Sequence, residues 1–182
     1  NEGHDVRVIL PNYRMIDSYW KERMEQVCSF DVLFGWETLY CGIKRVQDNG
    51  VTYYFVDNES HFGVTEIYGD GTTEGLRFAF FCRAVLEALP HIGFVPDVLH
   101  LNDWQTGLIA ALLKTQYTAQ AEYARIKTVF SIHNLKYQGV FSWREIAGRL
   151  GLEDRYFTYE YLEFFGCISC MKGGLVFADR LC

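Results

Sequence analysis

Two short aliphatic runs, Val98 to Leu101 and Thr128 to Ile132, are separated by a segment of helical periodicity, and further helical stretches follow the second run. Alternation of strand and helix predicts βαβ units and a parallel sheet covered by helices, an α/β fold. In such sheets ligands bind beyond the carboxyl ends of the strands. The residues at those ends are therefore the first candidates for function. They read His100-Leu101-Asn102-Asp103-Trp104 after the first run and Ser131-Ile132-His133-Asn134-Leu135 after the second.

Other elements follow from local chemistry. Asp5 to Leu10 reads as a strand stopped by Pro11. Val27 to Leu33, Trp36 to Val46 and Val51 to Val56 read as strands, with Asp48-Asn49-Gly50 supplying residues that tolerate positive φ between the last two. Asp57 to Thr73 is polar and glycine-containing and reads as a surface loop. Phe78, Phe81, Val85 and Leu89 recur at helical spacing in a helix from Glu74 that Pro90 helps to end. Leu108, Ala111 and Leu112 mark the next helix, which Asn102 or Asp103 can cap. Trp143 to Leu150 and Tyr161 to Val176 read as helices, and Arg180 to Cys182 as the start of another strand. No linker divides the 182 residues.

Composition removes several classes of function. A net charge of −6 leaves no basic stripe to neutralise phosphates, so nucleic acid is not an expected partner. No apolar run reaches the roughly 20 residues that span a bilayer, so a membrane is not expected either. The six cysteines are irregularly spaced, which fits reduced thiols in a cytoplasm better than a disulfide framework. Cys167 and Cys170 form a C-x-x-C inside an apolar run, without nearby ligands to complete a zinc site, and read as packing.

The two polar clusters do not define a reaction by themselves. Asp103 before an apolar helical run also fits a plain helix cap, and His133 also fits a buried histidine satisfied by the backbone. The chain holds no G-x-S-x-G elbow, no Walker loop and no G-x-G-x-x-G. Gly69-Asp70-Gly71 is too short for a phosphate cradle, and Glu153 and Asp154 read as solvated surface.

Three segments together carry a resemblance. Pro96 to Leu113 (PDVLHLNDWQTGLIAALL), Val129 to Phe141 (VFSIHNLKYQGVF) and Leu76 to Val85 (LRFAFFCRAV) resemble bacterial glycogen synthases and plant starch synthases. The opening GHDVRVILPNY and the late MKGGLVFADRL fit as well, so the resemblance covers essentially the whole chain. It implies a Rossmann-like N-terminal domain of a GT-B glycosyltransferase: a mostly parallel sheet with a β-hairpin insertion, incomplete at both ends. It implies transfer of glucose from ADP-glucose, the donor, to the non-reducing end of an α-1,4-glucan, the acceptor, with retention and without a metal or other cofactor. His133 matches the family's H-N-L histidine and is expected to contact the donor glucose near the reacting centre. Asp103 matches an aspartate important for activity. Tyr68 aligns with a cleft-lining tyrosine, and Asn102, Asn134 and Gln138 are expected to bind substrate.

The resemblance also implies what this chain lacks. The family's first strand, with its K-x-G-G-L loop, is expected before Asn1, and the whole C-terminal domain, with most of the nucleotide pocket, beyond Cys182. Lys172-Gly173-Gly174-Leu175 imitates that loop without its intervening residue, and Lys172 is given no donor-binding role. Residues 1–182 are thus expected to be the acceptor-side part of an enzyme, inactive alone and able to self-associate through exposed sheet edges. The alternative expectation is a non-catalytic carbohydrate-binding or interaction module. The expected location is the cytoplasm, with a plastid as the alternative.

Overall fold

A computed structural model describes residues 3–69 and 71–182, apart from the side chain of Thr72. Among the described residues ten strands run in chain order: β1 (Arg7–Pro11), β2 (Glu25–Phe34), β3 (Glu37–Asp48), β4 (Val51–Asp57), β5 (Val98–Asn102), β6 (Lys127–Ser131), β7 (Val140–Phe141), β8 (Glu163–Phe164), β9 (Cys167–Ser169) and β10 (Arg180–Leu181). The α-helices are α1 (Ser18–Lys21), α2 (Glu59–Phe62), α3 (Gly71–His91), α4 (Trp104–Leu112), α5 (Ala121–Ala124), α6 (Trp143–Leu150) and α7 (Cys170–Phe177).

The strands form three sheets, ordered β1-β4-β3-β2, β10-β6-β5 and β7-β9-β8. β1 pairs parallel with β4, and β6 lies parallel between β5 and β10. β2, β3 and β4 form an antiparallel meander, the expected insertion. Its β3–β4 turn places Asn49 at φ 48° and Gly50 at φ 78°, the left-handed pair that a two-residue hairpin requires.

Several boundaries differ from the sequence expectation for identifiable reasons. The loop after β4 contains α2, because the Asn58 side chain accepts from the backbone N–H of His61 and starts a turn. α3 begins before Glu74 and runs past Pro90. Pro90 has no N–H for the Leu86 carbonyl one turn back, and the Tyr123 hydroxyl donates to that carbonyl instead, at 2.9 Å. Tyr161 to Val176 is not one helix. Phe165 (φ 49°) and Gly166 (φ 78°) turn the chain back as the β8–β9 hairpin, and the Ser169 side chain then caps α7.

α3, α4 and α7 pack into a core with Phe34, Phe62, Phe80 and Phe130, all essentially inaccessible to solvent. The contact between α4 and α7 is unusually close. A β-carbon on Gly107 would fall 2.1 Å from the carbonyl oxygen of Cys170, and one on Gly174 would fall 2.5 Å from the Phe130 ring. The paired glycines after Lys172 therefore serve helix packing. Lys172 itself donates to the carbonyls of Tyr159 (2.5 Å) and Glu163 (2.7 Å), which commits its ammonium to holding the 159–163 segment.

The seam between the first two sheets is open. β1 and β5 each have one pairing neighbour. Between them lies a trench of about 880 Å³ lined by both strands and, on one side, by Phe78, Phe81, Val85 and Leu89 of α3.

Candidate functional site

The site begins where β5 ends. Leu101 is buried, Asn102 is exposed, and Asp103 leads into Trp104, the first residue of α4. Asp103 has φ 57° and ψ −178°, a conformation almost confined to glycine that costs on the order of 1–3 kcal/mol in other residues. Its carboxylate shows why it is held there. Asp103 makes no side-chain cap for α4. Its Oδ1 instead accepts the backbone N–H of His133 at 2.7 Å and that of Asn134 at 3.3 Å. Its own N–H donates to the carbonyl of Ser131 at 2.9 Å. The helix-cap reading of Asp103 is thus corrected: the side chain reaches across to the next strand, and strain at one residue organises the loop after β6.

Two histidines occupy this region, each with Nε2 against a side-chain oxygen. His100, on β5, is exposed, with Nε2 2.7 Å from the Oγ of buried Ser131. His133 is exposed, with Nε2 3.0 Å from Asn102 Oδ1. The buried-histidine reading of His133 is therefore corrected: its side chain is exposed.

The loop after His133 is fixed at both ends. Asn134 Oδ1 accepts from the backbone N–H of Lys136 at 3.0 Å, folding the loop on itself. The carbonyls of Gln138 and Gly139 accept from the backbone N–H groups of Met171 (3.1 Å) and Cys170 (2.9 Å) at the start of α7. Gly139 has φ 60° and sits against the buried Trp104 ring, which a β-carbon would approach to 2.3 Å. Between these anchors Leu135, Lys136 and Tyr137 face solvent.

Tyr68 stands at the same opening. It is 63% exposed and lines the trench along with Asn102. Its loop is held by Arg77, a buried arginine whose Nη1 donates to the Ile67 carbonyl at 2.7 Å. Asp70 of that loop lies outside the described residues. The structure thus brings Asn102, Asp103, His133 and Asn134 into direct hydrogen-bonded contact and sets Tyr68 on the trench wall that it shares with Asn102. Gln138 stands apart at the far end of the loop, its Nε2 within 3.5 Å of the Leu135 carbonyl.

Sequence reasoning missed Arg77 as a support for Tyr68. The available signal was a lone arginine inside the apolar helical run LRFAFF, since a buried arginine needs a partner. The C-x-x-C pair shows no sign of reactivity. Cys170 is buried beside Cys82, and burial pushes its thiol well above the ordinary range, as it pushes Cys82 up to about 12.

The arrangement presents an imidazole on a rigid mount at the carboxyl ends of two adjacent parallel strands, open to solvent on one side. It resembles a set of known proteins along its whole length. A family model described as the starch synthase catalytic domain matches residues 1–182. The chain is 48% identical over 179 residues to a protein named glycogen synthase from Geobacillus thermodenitrificans, covering 98% of this chain and 37% of that protein. It is 50% identical over 180 residues to a glycogen synthase from Anoxybacillus flavithermus, again covering 98% and 37%. Among solved structures, the catalytic domain of starch synthase IV from Arabidopsis thaliana, bound to ADP and acarbose, matches with a TM-score of 0.88 at 25% identity, over 98% of this chain and 37% of that one. The chain thus spans under two-fifths of the length of these relatives. Sequence and fold agree that this chain belongs to the starch synthase catalytic domain family, whose GT-B fold it shares in part.

Proposed function

We propose that residues 1–182 are the N-terminal, acceptor-side part of a glycogen or starch synthase, which moves glucose from ADP-glucose to the non-reducing end of an α-1,4-glucan with retention. The observation that carries this reading is His133, bracketed by Asp103 and Asn102 and exposed where two parallel strands end. The relatives named glycogen synthase, and a starch synthase whose structure holds ADP and acarbose, support it.

In this reading His133 touches the donor glucose near the reacting carbon. Asp103 acts through the backbone, fixing where His133 begins, and misplacing a reacting group by about 1 Å costs on the order of a hundredfold in rate. Tyr68 lines the trench near its mouth, and Asn134 and Gln138 offer side-chain amides to substrate hydroxyls. The opposite wall, with most of the nucleotide pocket, comes from the rest of the protein. The trench takes the family's first strand, whose pairing with β1 and β5 joins the two sheets. No helix among the described residues is long and apolar enough to cross a membrane. By its likeness to bacterial glycogen synthases, we place the parent protein in the cytoplasm.

The test is transfer of labelled glucose from ADP-glucose to glycogen by the full-length protein, by its His133→Ala variant and by residues 1–182 alone. The full-length protein is expected to be active, with His133→Ala lower by about a hundredfold or more and the isolated chain inactive. A full-length protein that binds glycogen but transfers nothing overturns the reading in favour of a carbohydrate-binding module.

A further inference from the structure

The contact between Asn102 and His133 has a chemical direction. Asn102 Nδ2 lies 3.5 Å from the carbonyl oxygen of His100, a long donor–acceptor contact. Turning the amide over would set its oxygen against that carbonyl oxygen, so Oδ1 faces His133. An amide oxygen only accepts. The ring atom 3.0 Å away, Nε2 of His133, must therefore carry the hydrogen. A neutral imidazole has one N–H, which leaves Nδ1 with a bare lone pair. Nδ1 has no partner among the described residues, and the side chain is exposed.

We infer that Asn102 is a positioning residue, which pins the proton of His133 on Nε2 and makes Nδ1 a hydrogen-bond acceptor toward the substrate. The ligand group that fits is a hydroxyl, which can donate. A phosphate or carboxylate oxygen, which only accepts, finds a lone pair there and is disfavoured. The bracket thus sorts the two ends of a nucleotide sugar, taking the polyol and turning away the diphosphate. This inference rests on the proposed placement of a sugar at His133, and it replaces the expectation that Asn102 itself binds substrate.

The experiment uses the full-length protein with ¹⁵N-labelled histidine rings at about pH 8.5, well above the ordinary imidazole range. The His133 signals are identified by their loss in His133→Gln. In the unmodified protein Nε2 is expected to be protonated and Nδ1 bare, with the Nε2 proton slow enough to observe. Asn102→Asp keeps an acceptor oxygen and should keep that pattern. Asn102→Leu removes the acceptor; both ring nitrogens should move toward averaged shifts, and the Nε2 proton should exchange at least tenfold faster. A protonated Nδ1 in the unmodified protein, or an unchanged pattern in Asn102→Leu, overturns the inference. Kinetics separate it from the functional reading beneath it. Asn102→Leu should lower kcat/KM for the donor about tenfold with the melting temperature unchanged, and Asn102→Asp should recover most of the loss. If the spectra change as expected and kcat/KM does not, the hold of Asn102 on the ring stands and the placement of a sugar at His133 falls.

Discussion

The seam between α4 and α7 and the seam between β1 and β5 both border the second sheet, and they are built on opposite principles. At the first, glycines bring two helices so close that no β-carbon fits between them. At the second, two strands rich in aliphatic side chains face each other across an open trench, leaving Val6 at 59%, Leu10 at 41% and Val98 at 52% exposure. Natural edge strands are usually blunted by charge, bulges or proline. β5 (VLHLN) and the body of β1 (RVIL) instead read like strands from the middle of a sheet. The closed seam carries the mount of His133, and the open one leaves two strand edges facing a trench. Close packing under the candidate site and an open edge beside it are separate properties, and they can be perturbed separately.

The largest effect is expected at the closed seam. Gly107→Val drives a branched side chain into the backbone of Cys170 and should cost about 3 kcal/mol or more, read as a fall in the urea midpoint. A loss under about 0.5 kcal/mol would mean that the helices can part freely.

A smaller effect is expected at the clamp that follows α7. Burial raises the Asp179 pKa, but hydrogen bonds from Lys114 and from the N–H and hydroxyl of Thr128 outweigh it and hold the carboxyl at about 2. A carboxyl depressed in the folded state contributes stability that is complete above its unfolded value near 3.8 and is lost as pH falls through about 2. Asp179→Asn should therefore cost about 2 kcal/mol at neutral pH and flatten the stability profile between those two values.

His61 adds an opposite case. Burial, followed by the charges of Arg77 and Arg149, holds its pKa down at about 4. A histidine kept neutral in the folded state favours unfolding once the unfolded chain begins to take up protons near 6.5, so stability should decline between about pH 6.5 and 4. His61→Phe, which keeps the stacked ring against Phe80, should remove that part of the decline.

The smallest effect on stability belongs to the open seam. Val98→Lys should change the unfolding free energy of residues 1–182 by less than about 0.5 kcal/mol. The same substitution should shift the isolated chain from associated species to monomer in light scattering, because a lysine on an edge strand discourages pairing. An isolated chain that is already monomeric would show that the trench edges do not attract one another.

The parts of this fold that sequence made legible are those fixed by local chemistry. Asn49-Gly50 announces its hairpin because few other pairs tolerate two left-handed residues. β5 and β6 stand out as short aliphatic runs, and their ends coincide with the site because parallel topology puts function there. Three features were not settled by local pattern, two of them because they depend on residues far apart in the chain. The apolar run through Phe164 and Phe165 fits a helix or a buried hairpin equally well by pattern, and the left-handed Phe165 decides for the hairpin. Pro90 marks a helix end until Tyr123 supplies the missing donor. Asp103 has the composition of a cap, and only the position of β6 shows that its carboxylate serves His133.

The glycine contact between α4 and α7 also has a mechanical meaning. Helices separated by side chains can slide or roll a little as those side chains change rotamer. Helices in backbone contact have no such play and move as one body. α4 opens at Asp103, and α7 leads through Asp179 into β10. Tension applied to the polypeptide at Leu181 is therefore transmitted through α7 and α4 to the residue that seats His133, much as a rod transmits a push along its length.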